Sequence, residues 1–318
     1  MQIQWYPGHM TKTRRLIEEN IKLVDIVIEL LDARAPYSTK NPDIDKLANG
    51  KMRLIVLNKS DLADPKLLKA WTDWYSSSNV KVIEIIATSG KGMKEVTAAA
   101  EEMLREKIER DKARGRIYRP IRAMIVGIPN VGKSTFINTL VGKGSTKTGD
   151  KPGVTRGKQW VKIKKGFELL DMPGILWPKF EDEIVGLNLA FTGAIKDEIM
   201  DTEELALKLV ERLQETNPEE LMTRYKLTRE LAMGFLELGA KRFRGKLEER
   251  YKLEITDEMT PYDMLLAIGN KRGFITPGGG VDENRTALVI LDEYRSGKIG
   301  KITVESPTDL VGEEGSDC

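Results

Sequence analysis

The stretch Gly127-Ile128-Pro129-Asn130-Val131-Gly132-Lys133-Ser134 decides the fold of this chain. It follows an apolar run at 123–126, which predicts a buried strand, and it precedes a segment at 135–140 that predicts a helix. A strand, a G-x-x-x-x-G-K-S loop and a helix in this order are typical of a phosphate-binding loop. Backbone N–H groups of such a loop point at an anion, and the positive end of the helix strengthens the attraction.

The polar side chains of this phosphate loop have expected tasks. Lys133 would reach the β- and γ-phosphates of a nucleotide, and Ser134 would give its hydroxyl to Mg²⁺. A glycine turn with a surface lysine is the alternative, and the predicted strand and helix on either side argue against it. The residues of this loop that we expect to contact the nucleotide are Asn130, Val131, Gly132, Lys133, Ser134 and Thr135.

The segment Asn58-Lys59-Ser60-Asp61 selects the nucleotide, and it directly follows a predicted strand at 53–57. Asp61 could accept hydrogen bonds from N1–H and the 2-amino group of guanine, which adenine does not offer. Such a site rejects an analogue that leaves its polar groups unpaired by a factor on the order of 10⁴ or more. Asn58 would tie this loop to the phosphate loop, and the stem of Lys59 would cover one face of the base. A helix cap is the alternative for this tetrapeptide alone, but beside a phosphate loop we expect guanine and exclude an ATP-dependent kinase.

Two further segments complete the predicted site. Thr155 lies in a loop after the predicted phosphate-loop helix, where a second Mg²⁺ ligand ordered by the γ-phosphate is expected. Asp171 ends a predicted strand and would reach Mg²⁺ through water, while the N–H of Gly174 would contact the γ-phosphate. Lys133, Thr155 and Gly174 are therefore candidate catalytic residues.

These segments resemble the motifs of translation-factor-type GTPases in a permuted order. The loop at 58–61 and the segment Ala87-Thr88-Ser89, both expected at the base, precede the phosphate loop, which usually comes first. With the opening Trp5-Tyr6-Pro7-Gly8-His9-Met10, essentially the whole chain resembles the ribosome biogenesis GTPase A (RbgA or YlqF) family of circularly permuted GTPases. One departure is Ile86, where the family usually has serine, so we expect the backbone contact of Ala87 to the base but no serine hydroxyl contact.

The resemblance implies a function and its partners. It implies a GTP-binding and GTP-hydrolysing factor in late maturation of the large (50S) ribosomal subunit, with GTP or GDP and Mg²⁺ as cofactors. The expected partners are the large subunit and its rRNA, with hydrolysis slow alone and stimulated by the subunit. The alternative, from another functional class, is an RNA-binding assembly placeholder in which GTP is structural and hydrolysis incidental.

The residue after Asp171-Met172-Pro173-Gly174 predicts slow hydrolysis by the free protein. Ras-like GTPases carry a glutamine there that orients the attacking water, whereas Ile175 can neither donate nor accept a side-chain hydrogen bond. The missing stabilisation would come from a K⁺ ion held by Asn130, from His9, or from a group of the ribosome. The roles of Asn130 and His9 are implied by resemblance to related GTPases, and for His9 a structural histidine in a turn is the alternative.

The pattern along the chain predicts two domains and a tail. Strands that alternate with helices predict an α/β fold over residues 1–179, a circularly permuted P-loop GTPase domain with a doubly wound, mostly parallel sheet. Residues 180–300 contain only predicted helices with caps and terminal glycines, and predict an all-helical domain that binds RNA or the ribosome. Residues 301–318 end in an acidic run and predict a loose C-terminal tail.

The composition of the 318 residues, 40% hydrophobic and 31% charged, is typical of a soluble globular protein with two domains. No apolar run of about 18 residues predicts a membrane span, and residues 1–6 lack the features of a secretory signal. One cysteine and one histidine exclude disulfides and metal sites built from several such residues. We therefore expect a cytoplasmic protein without a membrane partner, monomeric off the ribosome.

Basic residues cluster in two regions, although the formal net charge is only +2. Residues 142–165 contain eight lysines or arginines and one acid, and residues 241–252 contain six and two. Such patches attract nucleic acid or phosphate, and ordinary solvated surface is the alternative. The candidate RNA-binding residues are Lys241, Arg242, Arg244 and Lys246.

Overall fold

The computed structural model describes most of the chain and divides it into two compact units. The described residues are 9–48, 50–115, 120–142, 159–164, 166–177, 182–197, 200–227 and 259–311, with the side chains of 9–12 left out. The first unit comprises residues 1–195 and 305–318, and the second comprises residues 196–304.

The first unit is built on a six-stranded sheet. The strands are β1 (Ile26–Asp32), β2 (Met52–Asn58), β3 (Val80–Glu84), β4 (Ile121–Val126), β5 (Gln159–Lys164) and β6 (Phe167–Asp171). Their order is β3-β2-β1-β4-β6-β5, and every neighbouring pair is parallel except β5 with β6. All seven residues of β1 are buried, as expected for a central strand covered on both faces. The predicted mostly parallel sheet, with its hairpin around residue 166, is confirmed.

The helices of the first unit precede, connect and follow these strands. They are α1 (His9–Asn20), α2 (Pro42–Leu47), α3 (Pro65–Tyr75), α4 (Met93–Met103), α5 (Arg105–Ala113), α6 (Lys133–Val141) and α7 (Glu183–Phe191). Asp64 caps α3 by accepting hydrogen bonds from two backbone N–H groups, and Pro65 occupies the first turn, as its sequence predicts. Helices α4 and α5 follow each other directly and meet at Leu104.

The second unit is helical in its described part. Its helices are α8 (Thr202–Thr216), α9 (Pro218–Tyr225), α10 (Pro261–Arg272) and α11 (Glu283–Arg295). Thr260 begins α10 with a capping box, since its hydroxyl accepts from the N–H of Asp263 and its own N–H donates to the Asp263 carboxylate. Among the described residues, no helix combines the length and apolarity needed to cross a membrane.

The two compact units divide the chain at other points than the domain limits predicted at 179/180 and 300/301. Helix α7 belongs to the first unit, and its residues Val185, Leu189 and Phe191 are buried. The chain returns to that unit at Glu305 and ends its described part with α12 (Pro307–Val311).

The segment expected to form a loose tail from residue 301 contains buried residues at its start. Ile302, Val304 and Glu305 are buried, and the acidic run that suggested a tail lies in residues 312–318, outside the described part.

Candidate guanine-nucleotide site

The predicted nucleotide-binding segments lie at one edge of the sheet. The loop at 58–61 follows β2, the phosphate loop follows β4, and the segment at 171–174 follows β6. These three strands run parallel to one another within the sheet, so their carboxyl ends share one edge. Ligands of open α/β sheets bind at that edge.

The phosphate loop needs its glycines for steric reasons. At Gly132 the backbone has φ +100°, and an added Cβ would lie 2.5 Å from Nδ2 of Asn58. At Gly127 an added Cβ would lie 2.7 Å from the carbonyl oxygen of Leu30. Asn130 also has a positive φ, of 60°, and α6 begins at Lys133, directly after Gly132. The loop therefore wraps tightly and ends at a helix N-terminus, the geometry that favours an anion.

Lys133 lies folded into this phosphate loop. Its Nζ donates hydrogen bonds to the carbonyl oxygens of Gly127 at 2.7 Å and Ile128 at 3.0 Å. Burial lowers the pKa of Lys133 to about 8, and the charge of Asp171 opposes this shift. A bound phosphate would place a full negative charge beside this ammonium, whose hydrogen bonds here go to two carbonyl oxygens.

The segment after β6 approaches the phosphate loop closely. Asp171 is buried, and an added Cβ at Gly174 would lie 3.0 Å from the backbone nitrogen of Pro129 and 3.1 Å from Nζ of Lys133. Ile175 donates its backbone N–H to the carbonyl of Gly127 at 3.3 Å. Gly174 therefore sits beside the lysine that would hold the phosphates.

The side chain of Ile175 is buried, with 1% of its surface exposed. Its carbonyl oxygen accepts a hydrogen bond from Nδ2 of Asn41 at 3.3 Å. The residue that replaces the glutamine of Ras-like GTPases is thus part of the core of the first unit, not a group presented to water.

The loop at 58–61 is fastened to two other loops by Asn58. Its Nδ2 donates to the carbonyl of Val131 at 2.9 Å, and its Oδ1 accepts from the N–H of Ala87 at 3.1 Å. Thr139 of α6 donates its hydroxyl to the carbonyl of Ala87 at 2.8 Å. Asn58, the phosphate loop and the 87–89 segment therefore form one hydrogen-bonded unit.

The remaining residues of the loop at 58–61, which we call the base-reading loop, follow in a short turn. Lys59 has a left-handed backbone, with φ 61°, and Asp61 is exposed in the turn that follows. The hydroxyl of Ser60 donates to the carbonyl of Ile85 at 3.0 Å, which joins this loop to the end of β3. The carboxylate of Asp61 is thus open to a ligand at this edge of the sheet.

Comparisons with known proteins identify the family. Ribosome biogenesis GTPase A of Bacillus cereus is 46% identical over 318 residues, covering 100% of this chain and 98% of the relative. The chain belongs to the ribosome biogenesis GTPase A family. The Thermotoga maritima member is 30% identical over 97% of this chain and 96% of its own length. A family model described as "50S ribosome-binding GTPase" matches residues 122–232.

Solved structures agree with this membership. The GDP-bound structure of YlqF has a TM-score of 0.60 and 26% identity, and covers 92% of this chain and 99% of that one. A GNP-bound YlqF structure from T. maritima has a TM-score of 0.57 and 25% identity, and covers 93% and 98% respectively. The predicted family resemblance and the predicted fold, a P-loop GTPase domain followed by helices, are confirmed.

Several residues that the sequence predicted for the family site lie outside the described part. They are Thr155, Lys241, Arg242, Arg244 and Lys246. His9 is the first residue of α1, and its side chain is also outside the description. Ser134 and Thr135 occupy the first turn of α6, where the predicted phosphate site requires them.

Two site residues were missed by reasoning from the sequence. Asp32 ends β1, Arg34 follows two residues later and both are buried, and the carboxylate of Asp32 contacts Nζ of Lys59 at 2.8 Å. The available signal was a charged tripeptide at the end of an apolar strand, Asp32-Ala33-Arg34. Its significance depended on knowing which strands flank β1.

Proposed function

We propose that this chain is a GTP-hydrolysing assembly factor for the large ribosomal subunit, slow alone and accelerated by that subunit. The contact of Asn58 with Val131 carries the nucleotide part of the proposal, because it joins a guanine-type loop to a phosphate loop. The names of the relatives, ribosome biogenesis GTPase A, and the matched family description support the ribosomal part.

Guanine would be read by Asp61 and by the 87–89 segment. The exposed carboxylate of Asp61 can accept from N1–H and the 2-amino group of guanine. The N–H of Ala87, expected at the base, is donated to Asn58 instead. We therefore favour the exposed neighbour Thr88 as the residue whose backbone faces the base.

Mg²⁺ would be held by Ser134, Thr155 and Asp171. The described members fit this ion, because a hydroxyl in the first turn of α6 and a buried carboxylate at the end of β6 are the oxygen ligands that Mg²⁺ prefers. When bound, the ion would neutralise charge on the β- and γ-phosphates. Thr155 lies outside the described residues, so its part in the proposal rests on the sequence.

Lys133 and Gly174 would position the phosphates without orienting the attacking water. Lys133 would exchange two carbonyl partners for phosphate oxygens, and the N–H of Gly174 would contact the γ-phosphate. Ile175 is buried and cannot orient water through a polar side chain. The missing stabilisation of the transition state is large: an arginine finger, which supplies it in other GTPases, raises the rate by a factor of about 10³–10⁵.

Three groups could supply that stabilisation: K⁺ at Asn130, the imidazole of His9, or a group of the ribosome. The side-chain amide of Asn130 donates to the carbonyl of Gly193 at 2.8 Å, and its carbonyl oxygen is the atom that would hold a cation. Imidazole can act as base or donor near neutral pH.

GTP turnover with and without purified large subunits, in K⁺ and in Na⁺, tests the proposal. We expect turnover to rise with subunits and to be faster in K⁺, and Asn130→Asp to remove the difference between the two salts. His9→Ala should keep GTP affinity and lower only the subunit-stimulated rate. Equal rates in all four conditions would refute the proposed activation, and unchanged stimulation of the His9 variant would remove His9 from it.

An RNA-binding placeholder with structural GTP is the second candidate, favoured by the buried Ile175. Subunit maturation with a non-hydrolysable GTP analogue separates the two candidates, because a placeholder tolerates loss of hydrolysis and a GTPase switch does not. In either case we propose a cytoplasmic monomer that contacts rRNA through Lys241, Arg242, Arg244 and Lys246. Charge reversal of these four residues should weaken subunit binding and make it less sensitive to salt.

A further inference from the structure

Strand β1, which lies between β2 and β4, ends in a buried carboxylate. Its last residue, Asp32, is in register with Asn58. Because β2 and β4 carry the two nucleotide-binding loops at their carboxyl ends, Asp32 stands between those loops. Its surface is 1% exposed.

Arg34 fixes this carboxylate in one orientation. Its Nε donates to Oδ1 of Asp32 at 2.9 Å and its Nη2 to Oδ2 at 2.7 Å, a bidentate pair. The backbone N–H of Arg34 adds a hydrogen bond to Oδ1 at 3.1 Å. Although burial opposes ionisation, Arg34 and Lys59 together hold the pKa of Asp32 well below its usual range. Asp32 therefore remains an anion at every pH at which the protein would work.

The same carboxylate holds Lys59, the lysine of the base-reading loop. Nζ of Lys59 donates to Oδ2 of Asp32 at 2.8 Å and to the backbone carbonyl oxygen of Asn130 at 3.2 Å. Lysine is long and flexible, so fixing it in a complex costs rotamer freedom. An anchor that is already rigid removes part of that cost before the nucleotide arrives.

We propose that Asp32, oriented by Arg34, is a positioning residue. It holds Lys59 against the phosphate loop, where the stem of Lys59 would lie beside the guanine base. Asp32 acts on the nucleotide only through Lys59, whose stem would cover the base. The inference rests on the proposed guanine-nucleotide site and names a residue that the usual motifs of that site do not include.

A double-mutant cycle tests this coupling with a fluorescent GDP (mant-GDP) as the probe. Asp32→Asn should weaken mant-GDP binding about 10-fold, the loss of one hydrogen bond to a charged group. In a Lys59→Met background the same change should weaken binding by less than about twofold, because the partner is gone. Asp45→Asn is the matched control: Asp45 is a half-exposed carboxylate paired with Lys40 and Arg53, and its change should leave affinity unaltered.

Asp32→Asn leaves the buried guanidinium of Arg34 without the negative charge that offsets its own, and can impair folding. The pair Asp32→Asn with Arg34→Gln removes both charges, and it serves as the fold-preserving arm of the same cycle. A structural role for Asp32 predicts equal losses with and without Lys59, and equal losses, or none in either background, would overturn the inference. Failure of the wild-type chain to bind mant-GDP, or equal binding of mant-ADP, would instead refute the proposed nucleotide site.

Discussion

The side-chain amide of Asn58 donates to the carbonyl oxygen of Val131 at 2.9 Å, although 73 positions separate the two residues in the sequence. The circular permutation places the base-reading loop before the phosphate loop in the chain, yet this bond brings the two together. The side chain of Asn58 also accepts a hydrogen bond from the N–H of Ala87. The permuted order thus changes the connections between the loops and preserves their contacts.

Gly132→Ala should abolish this arrangement. The new methyl would lie 2.5 Å from Nδ2 of Asn58, and a residue with a Cβ would be strained at φ +100°. Strain and clash of a few kcal/mol correspond to roughly a 100-fold loss of mant-GDP affinity. Gly278→Ala is the control, because an added Cβ there meets no atom within 4 Å. Unaltered affinity in the Gly132 variant would show that Asn58 does not organise the site.

Nucleotide binding should take up a proton at mildly alkaline pH. Burial lowers the pKa of Lys133 to about 8, and nearby phosphate charge would raise it again. The uptake should be about half a proton per nucleotide at pH 8 and about a tenth at pH 7. Calorimetry of GDP binding in two buffers of different ionisation enthalpy measures it.

Lys133→Arg is the control for this proton uptake, because guanidinium does not titrate in this range. The arginine variant should show no uptake near pH 8, whatever its affinity. Equal uptake in both proteins would assign the proton to another group.

The loops at the sheet edge were predictable from the sequence because each has a local signature with a known structural context. Residues 127–134 and 58–61 each follow an apolar strand, and parallel strands bring such loops to one edge. The bond from Lys59 to Asp32 was not predictable, since it depends on β1 lying between β2 and β4. Hydrophobic periodicity predicts where strands lie in the sequence, but not their order in the sheet.

The C-terminal segment shows the same limit. A glutamate near an acidic end predicts exposure, yet Glu305 is buried. Its hydrogen-bond donors come from residues 37, 38 and 188, which are distant in sequence. Burial of a charged residue was therefore fixed by tertiary contacts that no local pattern reports.

Thr260→Ala should increase fraying of the first turn of α10. The threonine hydroxyl accepts from the N–H of Asp263 at 3.1 Å and donates to its carboxylate at 2.6 Å. Loss of an N-cap of this kind costs about 1 kcal/mol. Hydrogen exchange in peptides covering 259–272 should rise about fivefold, and Thr260→Ser, which keeps the hydroxyl, should remain near wild type. Unchanged exchange in the alanine variant would mean that packing alone holds this helix end.

Glu305 should make the stability of the first unit depend on pH. Its carboxylate accepts from the backbone N–H of Tyr37 and Ser38, from the Ser38 hydroxyl at 2.5 Å and from Nδ2 of Asn188 at 3.1 Å. Burial nevertheless raises the pKa of Glu305 to about 7, with these hydrogen bonds opposing the shift. The folded state therefore binds this proton more tightly than the unfolded state does.

The sign follows from that difference. The stabilising contribution of the protonated carboxyl is complete below the unfolded pKa and is lost as the pH rises from about 4.5 to about 7. The loss is on the order of 3 kcal/mol across this window. Glu305→Gln cannot titrate, so its free energy of unfolding should be flatter over the same range. Urea unfolding of the full chain, followed by tryptophan fluorescence, measures both slopes; one contributor is Trp71, whose indole N–H donates to the Glu305 backbone carbonyl.

Asp309→Asn is the matched control for the Glu305 variant, because Asp309 lies on the same segment and is exposed. It should retain the slope of the wild-type protein between pH 4.5 and 7, roughly the window set by the Glu305 carboxyl. Parallel curves for wild type and Glu305→Gln would contradict the assignment and place the titrating group elsewhere. A flattened curve for Glu305→Gln would assign the titrating proton to the Glu305 carboxyl. This carboxyl joins residues 37, 38 and 188 to the C-terminal segment, so loss of its proton weakens that contact as the pH rises.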